Sequence, residues 1–372
     1  MINNLSYWEA KSWFSGIDFC VVGSGIVGLN CALHLKLKHP KAKVLIIEKG
    51  ILPQGASTKN AGFACFGSLS EILSDLENHS KEQVFNLVKK RVEGLNLLLK
   101  TLGKEKIDYK QYGGFELFFE ADKPLFEECA IQIDDINHLL KGIYNADIFS
   151  IQQSEFSYNG MLSKVILNPF EAQIDTGLMM SNLLKKVMGL GVLIINATEL
   201  ERFSEDNGKV TLFINGIETT TQHLFIATNA FSSQLLEVDV TPARNQVIIT
   251  KPIKDLNIKG TFHLDRGYYY FRNIDDRILL GGGRHIDAEI ETTSEFGITY
   301  RIQQQLEQIL KQNILPHQNV EVDMRWSGIL GVGSKKEPIV KSVSDRVHCA
   351  VRLGGMGVAI GSSLGKELSD LI

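Results

Sequence analysis

None of the five cysteines (Cys20, Cys31, Cys65, Cys129, Cys349) forms a CxxC pair, and an odd, scattered set makes no disulfide framework. That usage suits a reducing compartment, and the expected location is the cytoplasm. The nine histidines include no HxH or HxxxH pair, so no protein-built metal site is expected. No apolar run reaches transmembrane length. The opening Met1-Ile2-Asn3-Asn4-Leu5-Ser6-Tyr7-Trp8-Glu9 lacks the basic, apolar and cleavage regions of a secretory signal. Net charge is only −4, with 39 Lys and Arg against 43 acids, which gives no global case for nucleic acid or an anionic membrane surface. Internal repeats, low-complexity tracts and Pro/Ser linkers are missing as well. What remains is a globular chain.

With 372 residues and 44% hydrophobic content, the chain can bury one large core or two smaller ones. Its most informative stretch is a nucleotide-binding βαβ pattern. Phe19-Cys20-Val21-Val22 reads as a buried strand, and Gly23-Ser24-Gly25-Ile26-Val27-Gly28 follows at once. Leu29, Ala32, Leu33 and Leu37 continue at helical spacing until Pro40 ends the helix. Val44-Leu45-Ile46-Ile47 is the second strand and delivers Glu48 at its end, with Lys49 beside it. In this pattern Gly23 permits the tight turn, Gly25 admits a pyrophosphate to the backbone, and Gly28 lets helix and strand pack closely. The helix N-terminus then faces the phosphates. Glu48 suits a ribose diol and would repel a 2′-phosphate, which excludes NADP. Strand, glycines, helix, strand and acid in register make the pattern specific; a bare GxGxxG would not.

Further along, Glu71 to Leu102 reads as two helical segments broken near Asn78-His79-Ser80, with Ser80 an N-cap. Phe115 to Phe119 reads as a strand, Ala121 to Tyr144 as a helix, and Asp175 to Met188 as another. A strand over Gly191 to Ile195 follows. Asp206-Asn207-Gly208 and Asn215-Gly216 then mark two tight hairpins, since both central positions of such turns need positive φ. They give a three-stranded meander ending at Thr220, before a separate strand Leu224 to Ala227. A second β-rich region spans Val247 to Gly283. The tail, Cys349 to Ile372, reads as strand, glycine turn and helix.

These marks together resemble the D-amino-acid oxidase-like superfamily of FAD-dependent oxidoreductases. Within it the chain is most similar to the group of glycine oxidase, sarcosine oxidase and gamma-glutamylputrescine oxidase. The resemblance covers almost the whole chain. It rests on the GxGxxG run with Glu48, the loop Gly55-Ala56-Ser57-Thr58-Lys59-Asn60-Ala61-Gly62, and Ala227-Thr228-Asn229-Ala230. Gly267-Tyr268-Tyr269-Tyr270-Phe271-Arg272, Arg325-Trp326-Ser327-Gly328 and Gly354-Gly355-Met356-Gly357-Val358 complete it. It implies non-covalent FAD, with the loop from Ser57 to Gly62 wrapping the pyrophosphate and the flavin edge. It also implies a backbone contact to adenine from Leu200, and a last helix whose N-terminus, opening at Gly354 to Val358, faces the flavin.

For the substrate face, the resemblance implies Tyr268, Arg272, Trp326, Arg325 and Met356. Period-two alternation puts Tyr268, Tyr270 and Arg272 on one side of their strand. Arg325 and Trp326 are expected to form either a guanidinium–indole stack or part of the pocket. Two departures from the resemblance matter. The arginines that glycine oxidase-like proteins use for a carboxylate fall at Leu330 and Gly355, and the oxygen-activating lysine of sarcosine oxidases falls at Leu279. Glycine-sized substrates are therefore not expected, and the expected electron acceptor is O2 or another molecule.

The expected architecture is an α/β two-domain chain. A Rossmann-type FAD-binding domain with a β-meander comprises residues 1–80, 148–235 and 322–372. A substrate domain with a mixed or antiparallel sheet comprises 81–147 and 236–321. The expected reaction is oxidation of the C–N bond of an amine or amino-acid derivative by hydride transfer to flavin N5, giving an imine that hydrolyses. The alternatives are a 2-hydroxy-acid or glycerol-phosphate-type dehydrogenase using His263 or His285 as base, or a tRNA-modifying oxidase domain or flavin-bound interaction module. The sequence does not give an oligomeric state.

Overall fold

Val44–Ile47 and most of Ile17–Val22 are buried on both faces, the condition for central strands of a parallel sheet. The computed structural model describes residues 5–156 and 158–372; the first four residues of the expected FAD-binding domain lie outside them. In the first eight-stranded sheet, Ile17–Val22 lies between Val44–Ile47 and Ile217–Ile226, parallel to both. Leu193–Ile195 extends it at one edge, and Val347–Val351 with Ile339–Ser342 at the other. The helix Ile26–Lys38 follows the first strand and packs with the last helix, Gly357–Ser369, in one core cluster. A second cluster covers the other side of the sheet, under the meander.

The meander forms where the two Asn-Gly turns require it. Asn207 and Gly208 have φ of 50° and 71°, and Asn215 and Gly216 have 45° and 74°. They join Leu200–Asp206, Lys209–Ile214 and Ile217–Ile226. This corrects the expectation of two strands after the second turn, because one strand runs unbroken from Ile217 to Ile226. Its polar middle is paid for locally, with the Thr221 hydroxyl donating to the carbonyls of Asp18 and His223.

The second eight-stranded sheet has the order 322–332, 241–250, 277–282, 269–274, 261–264, 114–116, 164–168, 150–153. It is antiparallel except where Thr261–Leu264 meets Gly114–Glu116. The expected strand over 115–119 is shorter, Gly114–Glu116. One side of this sheet packs on the helix Tyr300–Gln308 and the π-helical turn after it. Its other side meets the loop after Glu48, through Phe63, Tyr270, Leu279 and Trp326. The chain is thus a two-domain α/β fold. Ser150–Gln153, Lys164–Asn168 and Val322–Val332 hydrogen-bond into the second sheet, because their partners there are the strands 114–116 and 241–250. The helix Lys81–Leu102 serves both halves, placing Leu95 and Leu98 in the first core and Val84 and Val88 in another. No helix among the described residues is long and apolar enough to cross a membrane.

Candidate functional site

Where the first strand ends, Gly23 turns at φ 98°, and a Cβ on Gly28 would lie 1.9 Å from the Gly23 carbonyl oxygen. Helix and turn therefore meet at a distance that only glycine allows. A cavity of about 410 Å³ opens in front of that turn, within the range of about 300–1,000 Å³ that small-molecule and cofactor sites occupy. Its wall includes Gly23, Gly25, Ile26, Val27, Glu48, Lys49, Ser57 and Asn60. Farther round come Leu200, Thr228, Asn229, Gly355, Gly357 and Val358. Segments distant in sequence thus converge on one space. Gly28, Thr58, Ala61, Gly62, Gly354 and Met356 stand behind or beside that wall rather than in it.

Glu48 is buried and already accepts three hydrogen bonds, from Ser24 N and Oγ at 2.9 Å each and from Gly50 N at 3.0 Å. An ionised carboxylate has about four acceptor positions, so one remains for a ribose hydroxyl. Ser57 Oγ accepts from Ile26 N at 3.0 Å and so ties the following loop to the helix N-terminus. Asn60 pins that loop internally. Its amide donates to the Ala56 and Ser57 carbonyls and its oxygen accepts from Gly62 N and Thr176 Oγ1. Thr58 Oγ1 donates to the Pro53 carbonyl. Asn229, at φ 44°, accepts from Arg352 N and Leu353 N and braces the approach to the last helix. Lys49 and Glu199 form an ion pair of 2.7 Å near Leu200. Thr228 Oγ1 is buried with no partner among the described residues, an unanswered polar group on the cavity wall.

On the second sheet, alternation holds. Tyr269 and Phe271 join the core against the helix, while Tyr270 faces the loop. Tyr270 accepts from Asn245 Nδ2 at 3.1 Å and meets Phe63 edge-on at 5.5 Å. Trp326 donates its indole N–H to the Lys59 carbonyl at 2.9 Å, which binds the second sheet to the loop. Tyr268 lies in the turn just before the strand rather than on its face with Tyr270 and Arg272, 38% exposed, with its ring 4.3 Å from that of His285. Arg272 is fully enclosed beside Gly62. Met356 lies 3.9 Å from the buried Cys65 thiol.

Arg325 does not join them. It points to the other side of the sheet and pairs with Glu307 at 2.6 Å and Gln303 at 2.7 Å. The expected stack with Trp326 is corrected accordingly, since adjacent strand residues face opposite ways. His263 is tied up as well, with Nε2 against both Glu171 oxygens at 3.0 and 2.9 Å. Burial pulls its pKa down, but the Glu171 charge and hydrogen bond outweigh that and raise it to about 9. Cys65, Glu171 and His263 bring donor atoms within 4.8 Å of one another. Burial holds the Cys65 thiol protonated, so the Glu171–His263 pair is already balanced in charge. Burial also lowers the His285 pKa, against the pull of Asp265, 3.2 Å away.

Sequence reasoning missed the cavity's far wall, including Gln54, Phe231, Gln234, Ser294 and Phe296. Ser294 and Phe296 belong to a loop without any motif. Phe231 and Gln234 follow Ala230 closely enough that the earlier motif could have been extended to them.

The family model described as "FAD dependent oxidoreductase" (DAO) matches residues 18–371. Gamma-glutamylputrescine oxidoreductase of Escherichia coli is 21% identical over 373 residues, covering 95% of this chain and 83% of its own. The probable oxidoreductase OrdL of Haemophilus influenzae is also 21% identical, over 95% of this chain and 82% of its own. Among solved structures, glycine oxidase from Bacillus cereus superposes with TM-score 0.78 at 14% identity, covering 95% of this chain and 96% of that one. L-proline dehydrogenase from P. horikoshii does so with TM-score 0.73 at 19% identity, covering 95% and 92%. The glycine turn, the single open acceptor on Glu48 and the unanswered Thr228 hydroxyl fit FAD as the occupant of the cavity. This chain belongs to the DAO family of FAD-dependent oxidoreductases.

Proposed function

We propose that the protein oxidises the C–N bond of an amine or amino-acid derivative to an imine, which water then hydrolyses. The observation that carries this reading is that His263, one of the two histidines expected as a base, is ion-paired with Glu171 rather than free. His263 is held as a cation by Glu171, so it cannot take a hydroxyl proton near neutral pH. A neutral amine needs no such base. FAD supplies the acceptor for the hydride that leaves the carbon next to nitrogen. Glu48, the turn at Gly23 to Gly25 and the first-turn N–H groups of Ile26–Lys38 hold its adenosine and pyrophosphate end. Gly355 to Val358 present the last helix to its other end. Trp326, Tyr270 and Phe63 exclude water from the substrate and orient it. FAD is held without a covalent bond in this reading, which is supported by a cavity wall that, among the described residues, carries no cysteine or histidine.

Glycine oxidase, L-proline dehydrogenase and gamma-glutamylputrescine oxidoreductase, three similar proteins named for nitrogen-bearing substrates, support an amine. Leu330 and Gly355 line the cavity without charge where carboxylate-binding arginines fall by resemblance. Glycine, sarcosine and D-alanine are therefore poor substrates, and larger or N-substituted amines are better. The test is anaerobic mixing of the FAD-loaded protein with a panel of amines and hydroxy acids while flavin absorbance is followed. Bleaching by larger amines is expected. Rapid, saturable bleaching by glycine would refute the size argument, and bleaching by hydroxy acids alone would refute C–N oxidation.

One arrangement favours the second reading. His285 lies beside Asp265 and Tyr268, and burial lowers its pKa and so favours the neutral ring that a hydroxy-acid dehydrogenase requires. The bovine L-2-hydroxyglutarate dehydrogenase, 22% identical over 67% of this chain, belongs to that chemistry by name. In the same panel, hydroxy-acid reduction abolished by His285→Gln would establish it.

A further inference from the structure

The helix-covered side of the second sheet is wider than the helix. Phe262, Phe271 and Leu280 lie in the core under Tyr300–Gln308. Strand register carries the same side outward, from Phe262 to Phe115, from Phe115 to Leu167, and from Leu167 to Ser150 in the last strand. Phe115 still stacks on Phe262 at 5.2 Å, but Leu167 belongs to no core cluster. The strand Ser150–Gln153, at the sheet's end, is exposed throughout.

A second cavity, of about 250 Å³, opens over this uncovered end. The sheet contributes Phe115, Val165 and Leu167 to it, and the flanking segments contribute the rings of Tyr112 and Phe156. Phe156 meets Phe115 edge-on at 6.2 Å. Ser154 Oγ donates to the Phe156 carbonyl at 2.9 Å and accepts from Phe156 N at 3.2 Å, which fixes the turn that carries Glu155 and Phe156. Among the described residues Glu155 is the only charged group on the wall; the other polar side chains there are glutamine, serine and the Tyr112 phenol. The volume falls under the roughly 300–1,000 Å³ of cofactor and drug-sized sites, which suits one small ring rather than a dinucleotide. A single carboxylate without a neighbouring cation attracts positive charge and repels anions. Aromatic faces add to that preference.

We propose that this groove binds a small organic ammonium, its apolar body on Phe115, Val165 and Leu167 and its charged nitrogen held by Glu155 and the Tyr112 and Phe156 rings. The site is separate from the flavin cavity because the sheet lies between them. Phe271 faces the groove's side and Tyr270 the flavin loop, one residue apart on the same strand. The inference therefore does not rest on the amine-oxidation reading.

The probe is benzyltrimethylammonium, which has one ring, a permanent charge and no nitrogen lone pair from which to form an imine. Calorimetric titration of the FAD-loaded protein compares it with benzyl alcohol and benzenesulfonate. Wild type is expected to bind the ammonium at least about fivefold tighter than the alcohol, to bind no sulfonate, and to keep its flavin spectrum. Glu155→Gln is expected to raise the ammonium Kd about three- to fivefold and leave that of the alcohol unchanged. Gln152→Trp, which sends an indole into the groove from the exposed strand, is expected to abolish binding of both. Wild type that binds no ammonium, or binds alcohol or sulfonate as tightly, overturns the proposal even where a variant does not fold. So does an ammonium Kd that neither variant moves. Binding that shifts the flavin spectrum and persists in Gln152→Trp overturns it too, by placing the probe in the flavin cavity. Amines that bleach the flavin of a protein with no affinity for the probe would leave the oxidation reading standing alone. Probe binding of the expected pattern, with no amine bleaching the flavin, would leave this one.

Discussion

At Gly25 the room for a side chain ends. A Cβ there would lie 2.8 Å from Ser57 Oγ, the group that caps the Ile26 N–H and anchors the loop to the helix. Valine at this position must displace Ser57 and also fill the space a pyrophosphate needs. Gly25→Val is therefore expected to purify folded but with less than about a tenth of the wild-type flavin, because helix N-terminus and phosphate approach are lost together. Flavin content by absorbance and secondary structure by circular dichroism check this, and a folded, fully yellow variant would contradict it. Glu48 shows the complementary economy. One carboxylate closes the turn through Ser24 and Gly50 and keeps a single acceptor outward. The residue that the sequence marks for the ligand is thus also a structural brace.

The hairpin turn at Asn215-Gly216 connects an element to the site. Asn215 Oδ1 accepts from Glu199 N and its amide donates to the Ala197 carbonyl, both at 2.9 Å. It thereby fixes the segment whose Thr198, Glu199 and Leu200 line the cavity. Alanine would lose both hydrogen bonds and bear the strain of φ 45° without them. The expected cost of Asn215→Ala is about 2–3 kcal/mol of stability, with several-fold weaker FAD binding. Urea unfolding and FAD titration measure the two effects. A loss of stability without any change in FAD affinity would separate the turn from the site.

The same turns explain what could be read from sequence. The βαβ unit, both Asn-Gly turns, the Ser80 cap and the Asp175 start were legible, because neighbours within a few residues determine them. The opposite facing of Arg325 and Trp326 follows from the rule that separates Tyr269 from Tyr270, a rule that the expected stack of the two residues ignored. What could not be read are facts of long-range assembly. Ser294 and Phe296 reach the cavity from a loop without regular pattern. Strands 150–153 and 164–168 join the second sheet only because Gly114–Glu116 is there to pair with. Arg272 could be placed on its face, but its full burial depends on every segment that packs over it.

At the scale of the whole molecule, each sheet buries a histidine that titrates in the opposite sense. His348 lies in the first sheet, 3.2 Å from His223 and 2.9 Å from Ser342 Oγ. Burial, then the charge of His223, hold its pKa down to about 4. In the second sheet Glu171 overcomes burial and holds His263 up to about 9. Between pH 4 and the ordinary histidine value of 6.5, the unfolded chain takes up a proton that folded His348 refuses, so stability falls as pH falls. Between 6.5 and about 9, folded His263 keeps a proton that the unfolded chain has lost, so stability falls as pH rises. Each limb changes by at most about 1.4 kcal/mol per pH unit for one proton. The two histidines together predict a maximum of stability near pH 6.5. Thermal unfolding from pH 4 to 10 should show it. His348→Gln should flatten the acid limb and His263→Gln the alkaline one, even if the latter lowers Tm throughout by stranding Glu171. An alkaline limb as steep in His263→Gln as in the wild type would mean that this ion pair does not govern it.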